Sequence, residues 1–313
     1  MSPAPSRVRA PVRADLEAVV GLLNACDVAE TGGPDTAADD VAGDWDLAGF
    51  ELAKDAWIAE AGDGRVVGYA YTGDQVRTGE LEADVWVHPE HAEPELGRRL
   101  LGLAERRARR LASGRGYATP ALDVFCVSTN VVKRDLLRER GFALRRTVVR
   151  MAIDLEADVR EPRPPAGVEL REFRPGDDDR AMYETMTEAF ADHYRQSDEP
   201  FEAWRARLLG HGAFEPALWA LAWAGGEPVG GLMADDNGEL GWIQGLGVRL
   251  PWRGRGVGGA LLGHACAAFA RRGQLRVELA VDAEGERRPL GVYERAGMRI
   301  IHAYELYQKP LGG

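Results

Sequence analysis

The second half of the chain alternates between apolar runs of strand length and one stretch with helical periodicity. In that stretch apolar or small residues recur every three or four positions, which is typical of a helix packed on a sheet. These positions are Val257, Ala260, Leu261, His264, Ala265 and Ala268. In chain order the pattern predicts strand Gly241–Val248, this helix, strand Leu275–Val281, a short helix Pro289–Arg295 that stops at Gly297, and strand Ile300–Tyr307.

The first half of the chain repeats the second. When Val87 is placed on Val248, the two segments align without gaps, and the register later shifts by five residues. The pairs that coincide are Gly97 with Gly258, Leu100-Leu101 with Leu261-Leu262, and Gly141-Phe142 with Gly297-Met298. Self-similarity over roughly 150 residues indicates two copies of one domain rather than a solenoid.

A proline-rich stretch separates the two copies. Residues 156–167 contain three prolines and few apolar residues, which is typical of a stiff linker. We therefore expect an N-terminal domain of residues 1–155 and a C-terminal domain of residues 168–313. Each domain is expected to have an α/β fold.

A glycine-rich loop joins the strand and the helix of the second copy. The seven residues 253–259 hold four glycines and two arginines. Glycine lets a backbone turn tightly and approach a ligand closely, and the free N–H groups and dipole of a helix start attract an anion. The loop therefore predicts a diphosphate site made largely of backbone. A turn that only caps the helix is the plainer alternative.

Three other kinds of glycine loop fit poorly. A dinucleotide fingerprint requires G-x-G-x-x-G, whereas the spacing here is G-x-G-x-G-G. A nucleotide triphosphate loop requires Gly-Lys-Ser/Thr, which is absent. A kinase loop requires a lysine on the following strand, but the only lysine after this loop is Lys309.

Residues 168–313 resemble the GNAT superfamily of acetyl-CoA-dependent N-acetyltransferases. The family's loop pattern Arg/Gln-x-x-Gly-x-Gly/Ala is matched by Arg253-Gly-Arg-Gly256-Val-Gly258, and its Tyr-x-x-x-Gly-Phe ending by Tyr293-Glu-Arg-Ala-Gly297-Met298. The whole chain resembles actinobacterial tandem GNAT proteins, in which the C-terminal domain is the active one. One departure is that many members carry an asparagine seven or eight residues before the tyrosine, where this chain has Glu286 and Gly285.

The resemblance implies a mixed, mostly antiparallel sheet flanked by helices in each of two tandem domains, with acetyl-CoA as the acyl donor. It implies that an amine attacks the thioester directly and that Tyr293 protonates the departing thiolate, although packing of Tyr293 against the sheet is an alternative. Gly245 and Gly247 are expected to let the ligand approach the strand closely. The expected coenzyme contacts are Leu246, Gly247, Val248, Arg253, Gly254, Arg255, Gly256, Val257, Gly258 and Gly259.

The group that takes the proton from the amine is less sharply indicated. Glu239 precedes the coenzyme strand and is the first candidate. His193 lies in the segment where the family forms its substrate wall, and a solvated loop histidine is the alternative there. Carboxylates and aromatic residues around Glu199, Phe201 and Trp204 suit a cationic amine, and an ordinary amphipathic helix explains them equally well.

The first copy has lost the features of the diphosphate loop. Arg253, Gly254 and Gly256 are replaced there by Ala92, Glu93 and Glu95. Carboxylates repel a diphosphate, and Pro94 removes a backbone donor. Since Leu137 stands where the second copy has Tyr293, we expect catalysis only in the second copy.

Composition narrows the function further. A net charge of −11 argues against nucleic acid as a partner, and the basic run Arg106, Arg107, Arg109 and Arg110 is expected to be a solvated helix face. Three cysteines without a CxxC pair predict free or buried thiols.

No metal-ligand spacing, membrane span or signal core is found, so we expect a cytoplasmic, metal-free enzyme acting on a small-molecule amine. A protein N-terminus or lysine as acceptor, and a non-catalytic acyl-CoA sensor or scaffold, are the alternatives. The oligomeric state is left open.

Overall fold

The computed structural model describes residues 7–74, 77–91, 94–156, 159, 161–191, 199–209, 214–238, 240–283 and 290–312. The chain divides into two compact units. Unit 1 consists of residues 1–147 together with 302–313, and unit 2 consists of residues 148–301.

Strands and helices alternate along the first half of the chain. They are β1 (Arg7–Arg9), α1 (Leu16–Thr31), α2 (Ala38–Trp45), α3 (Leu52–Asp55), β2 (Ala56–Glu60), β3 (Val66–Gly73), β4 (Glu80–Val87), α4 (Pro94–Arg115), β5 (Ala121–Val127), α5 (Val131–Glu139) and β6 (Ala143–Asp154). The second half follows the same order, except that two described helices instead of three lie between its first two strands. It contains β7 (Glu169–Glu172), α6 (Asp179–Ala189), α7 (Phe201–Leu209), β8 (Ala220–Ala224), β9 (Glu227–Asn237), β10 (Leu240–Val248), α8 (Val257–Arg271), β11 (Arg276–Asp282), α9 (Leu290–Arg295) and β12 (Arg299–Pro310).

Each unit is built on a mixed sheet. In unit 1 the strand order is β1-β2-β3-β4-β5-β12, and in unit 2 it is β6-β11-β10-β9-β8-β7. The pairs β4–β5 and β10–β11 are parallel, and the other described pairs within the units are antiparallel. The predicted fold, a mixed and mostly antiparallel sheet flanked by helices, is confirmed.

The two sequence repeats exchange their last strands. The end of the chain pairs with β5 of unit 1, with Leu306 opposite Phe125. The end of the first half pairs with β11 of unit 2, with Met151 opposite Leu279. The units therefore divide the chain differently from the two sequence repeats, and the division at residues 155 and 168 stays a prediction about the repeats.

Apolar helix faces cover the sheets as the periodicity predicts. In α8 the buried side chains include Val257, Leu261, His264 and Ala268. A Cβ built on Gly241 of β10 would lie 2.7 Å from the Phe269 ring, so this glycine lets α8 lie close to the strand. The three cysteines are free and buried, as expected.

Candidate active site

Strand β10 separates from its parallel neighbour halfway along its length. It pairs with β9 from Leu240 to Val248, but among the described residues it pairs with β11 only from Leu240 to Ile243. A shift of register between Ile243 and Gly245 marks a bulge at Gln244. A bulge bends a strand and increases its twist, and beyond it no described residue of β11 pairs with β10. The backbone edge beyond the bulge is thus left open to a ligand that can pair like a strand.

Two glycines on this part of β10 allow a helix to approach the strand. A Cβ on Gly247 would lie 2.8 Å from the Ala189 Cβ, and one on Gly245 would lie 2.9 Å from the Met186 Cε. The face of both glycines is therefore filled by α6. The expectation that these glycines make room for a ligand is wrong for that face, because period-two spacing reveals which residues share a face but not what covers it. A ligand can meet only the open edge.

The loop after β10 has the backbone conformation that its glycines permit. Gly254 has φ +74° and Gly256 has φ +87°, a region that costs residues with a Cβ roughly 1–2 kcal/mol. The side chain of Arg253 is tied into the fold. Its Nε donates to the Val248 carbonyl (2.9 Å) and its Nη2 to the Ala189 carbonyl (2.7 Å). Arg253 thereby fastens the loop to β10 and to the end of α6.

The first turn of α8 is open to an anion. Gly256 is its N-cap and offers no side chain to bond the helix start. A Cβ on Gly259 would meet no atom within 4 Å, and Arg255 nearby is exposed over the Trp252 ring at 5.0 Å. Free N–H groups, the positive end of the helix dipole and one exposed guanidinium make this turn suitable for a phosphate group. Val257 is buried beneath it, and the Cβ-free face of Gly258 lies near Leu246 and Val248.

Tyr293 lies on α9, beside the start of α8. Val292 is 3.7 Å from the position that a Cβ on Gly258 would take. Tyr293 is buried, and burial raises the pKa of its hydroxyl to about 12. The helix closes with Met298 N–H donating to the Tyr293 carbonyl (3.0 Å), while Gly297 has φ +93°. The predicted helix end at Gly297 is confirmed. At neutral pH the hydroxyl is protonated and able to donate.

Both sequence candidates for the proton acceptor, Glu239 and His193, lie outside the described residues, as do Gly285 and Glu286. The structure adds a carboxylate that sequence reasoning missed. Asp235 of β9 is buried beside the bulge, and the Gln244 amide donates to it. Two consecutive aspartates in an otherwise apolar strand were the available signal.

The acidic and aromatic residues expected to bind the amine mostly contact other side chains of the protein, as far as the structure describes them. Glu199 pairs with Arg207 at 2.8 Å. Phe201 stacks with Trp204 (centroids 6.2 Å apart) and lies under the Arg180 guanidinium at 4.1 Å. For these residues the amphipathic-helix alternative therefore agrees better with the structure.

Neither a membrane span nor a metal site is apparent in the described residues. No helix there is both long and apolar enough to cross a bilayer. No group of three or more His, Cys, Asp and Glu side chains comes together there as metal ligands would.

Comparison with known proteins places this geometry in context. Residues 180–298 match the family described as "Acetyltransferase (GNAT) family". A Geodermatophilus obscurus protein named mycothiol acetyltransferase is 31% identical over 249 residues, covering 77% of each chain. A Streptomyces coelicolor protein of the same name is 31% identical over 257 residues, covering 78% of this chain and 75% of the relative.

Two solved structures share the fold. The GCN5-related N-acetyltransferase from Sphaerobacter thermophilus is 32% identical, with a TM-score of 0.87 and coverage of 100% of this chain and 98% of that one. A tandem GNAT protein from the clavulanic acid biosynthesis pathway is 18% identical, with a TM-score of 0.70 and coverage of 98% and 99%. At that identity the second likeness concerns the fold alone.

Proposed function

Because this chain belongs to the GNAT acetyltransferase family, we propose that it transfers an acetyl group from acetyl-CoA to the amine of a small molecule. The observation that carries the proposal is the open edge of β10 next to an uncapped helix start in unit 2. A small-molecule acceptor is favoured because the relatives named above carry mycothiol in their names.

The residues of unit 2 fit such a coenzyme. In the proposal, the N–H groups of residues 254–259 and the Arg255 side chain hold the diphosphate. The backbone of Leu246, Gly247 and Val248 holds the pantetheine arm. The Val248 carbonyl already accepts from Arg253, so Leu246 carries more of the strand-like pairing. When bound, acetyl-CoA supplies an acetyl group activated as a thioester.

Tyr293 donates a proton to the departing sulfur in this proposal. With its pKa raised to about 12, the hydroxyl keeps its proton throughout the physiological range. Loss of activity through its ionisation is expected only as the pH approaches 12. The amine proton is taken up by a neighbouring carboxylate or imidazole, for which Glu239, His193 and Asp235 are the candidates.

The decisive experiment replaces Tyr293 by Phe. General acid catalysis contributes about 10²–10⁴-fold to a rate, so we expect kcat to fall at least tenfold. The Kd for acetyl-CoA, measured by calorimetry, should stay within about twofold because the phenol is not among the diphosphate contacts. The rate is followed as thiol release with a panel of small amines. Tyr117→Phe is the control, since it removes a hydroxyl that bonds Asp74 in unit 1.

Three results would contradict the proposal. Unchanged turnover in Tyr293→Phe would remove the acid role. Tight coenzyme binding without acetyl transfer to any amine or peptide would favour the sensor or scaffold. Faster turnover with peptides than with small amines would instead identify a protein acetyltransferase.

A further inference from the structure

One stripe of α4 in unit 1 carries three arginines around an apolar residue. Leu103, Arg106, Arg107 and Arg110 follow the i, i+3, i+4, i+7 spacing that places side chains on one helix face. Together with Lys54 of α3 and Trp57 of β2 they line a cleft of about 430 Å³. The sequence pattern suggested a solvated face, but the opposing strand and helix turn this part of it into a concave surface.

Two of the four cations that line the cleft have no ionic partner in the described part of the chain. The other two are paired: Arg107 Nε lies 2.5 Å from the buried Asp55, and Lys54 lies 2.5 Å from Glu51. Arg106 and Arg110 are exposed and form no ion pair with any residue that the structure describes. Like charges one helical turn apart are unfavourable, and this pair occurs in a chain of net charge −11. An anionic ligand would offset that repulsion.

The equivalent helix of unit 2 indicates what kind of ligand fits. At the spacing of 161 residues that relates the repeats, Leu103 corresponds to His264 and Arg110 to Arg271. There the stripe is covered by the segment between the repeats. Glu161 bonds His264 Nδ1 and lies 3.8 Å from Arg271.

The next residue of that segment, Pro162, lies so close to α8 that a Cβ on Gly263 would collide with its ring. A carboxylate followed by a proline ring therefore occupies this helix stripe in unit 2. In unit 1 the stripe keeps the equivalent arginine, and no segment of the described chain supplies a carboxylate to Arg106 or Arg110.

We propose that the cleft of unit 1 binds an extended, acidic, proline-containing segment of a partner protein. Carboxylates of that segment accept charge-assisted hydrogen bonds from Arg106 and Arg110. A proline ring packs on Trp57 and Leu103, which are half-buried and offer an apolar floor. The cleft lies in unit 1 and the proposed acetyl-transfer site in unit 2, so this proposal can be tested independently of that activity.

The test measures binding of a fluorescein-labelled hexapeptide, Glu-Pro repeated three times, by anisotropy on the full chain at constant ionic strength. The Gln-Pro peptide of the same length is the neutral control. We expect Arg106→Ala/Arg110→Ala to weaken binding of the acidic peptide at least tenfold, since two charge-assisted bonds are removed. Arg109→Ala is the matched control, because Arg109 is on the same helix but pairs with Glu105 at 3.6 Å and does not line the cleft.

Folding of the double variant is not a concern, because alanine is a better helix former than arginine. A charge-reversed variant, Arg106→Glu/Arg110→Glu, should bind the Lys-Pro hexapeptide instead. Equal binding of the neutral peptide, or an equal loss with Arg109→Ala, would overturn the proposal. So would binding of a DNA duplex in place of the acidic peptide, or no binding at millimolar concentration.

Discussion

The two units carry very different residues at equivalent positions of their sheets. In unit 1, Tyr69 faces Trp86 across the β3–β4 pair, and their rings stack with centroids 5.7 Å apart. In unit 2 the equivalent cross-strand pair is Gly231 and Gly247. Aromatic rings fill the space beneath α1, whereas glycines bring α6 down onto the sheet.

That difference reaches the loop where the proposed coenzyme site lies. Because Gly247 has no side chain, the end of α6 comes close enough for Arg253 to bond both the Ala189 and the Val248 carbonyls. In unit 1 the residue at the position of Arg253 is Ala92, which has no group to make such a link. A small residue in a strand can therefore determine how firmly the loop that follows this strand is held.

The largest effect on coenzyme binding is expected from giving the loop of unit 2 the two carboxylates of the unit 1 loop. Gly254→Glu/Gly256→Glu introduces the two carboxylates that the first repeat carries at these positions. Both residues have positive φ, and the new charges face the proposed diphosphate. We expect the Kd for acetyl-CoA, measured by calorimetry, to rise at least 100-fold, about 2.7 kcal/mol or more.

The control for this variant is Gly114→Glu in α4, where a Cβ would meet no atom within 4 Å. It adds a carboxylate to unit 1 and should leave coenzyme affinity unchanged. If the loop exchange left affinity intact, the contrast between the two loops would have no bearing on coenzyme binding.

A smaller effect is expected from filling the gap that the unit 2 glycines leave. Gly247→Val would press on the Ala189 Cβ, which is fixed to the helix backbone. Overpacking of this kind costs about 1–3 kcal/mol, so unfolding in urea should begin at lower concentration. Gly43→Ala on α2, whose Cβ would be free of contacts, should be neutral or stabilising by up to about 1 kcal/mol. An equal midpoint for both variants would contradict the close packing of α6.

The smallest effect distinguishes the thiols of the two units. Burial raises the pKa of Cys26 and Cys126 in unit 1 to about 12, and that of Cys266 in unit 2 to about 11. Because only the thiolate reacts, modification by an aromatic disulfide at pH 8 should be slower in the native chain than in guanidinium, by about 100-fold at Cys266 and about 1,000-fold at Cys26 and Cys126. As the pH rises, Cys266 should react first, about one pH unit before the others, which peptide mapping can follow. Reaction of Cys26 at a lower pH than Cys266 would contradict this order of reactivity.

Local signals in the sequence predicted much of the fold and part of the candidate site. Helical periodicity located α8, and Gly297 correctly marked the end of α9, because caps and periodicity are properties of short segments. Strand β11 was expected at Leu275–Val281 and is observed one residue later. The coenzyme contacts and the role of Tyr293 stay predictions.

The sequence could not show which elements of the chain pack against each other. The covered face of Gly247 was not predicted, because nothing in a strand pattern tells which helix packs on it. The exchanged strands were missed for a similar reason. The two repeats end in segments of similar pattern, Ala143–Asp154 and Arg299–Pro310, so local pattern does not distinguish which sheet each one joins.

The strand exchange determines how this protein can be divided. Scission between the repeats would yield two half-molecules, each carrying a final strand suited to the other's sheet. Each half would then lack the strand that completes its own sheet, so we expect a stable fold only when both halves are present together.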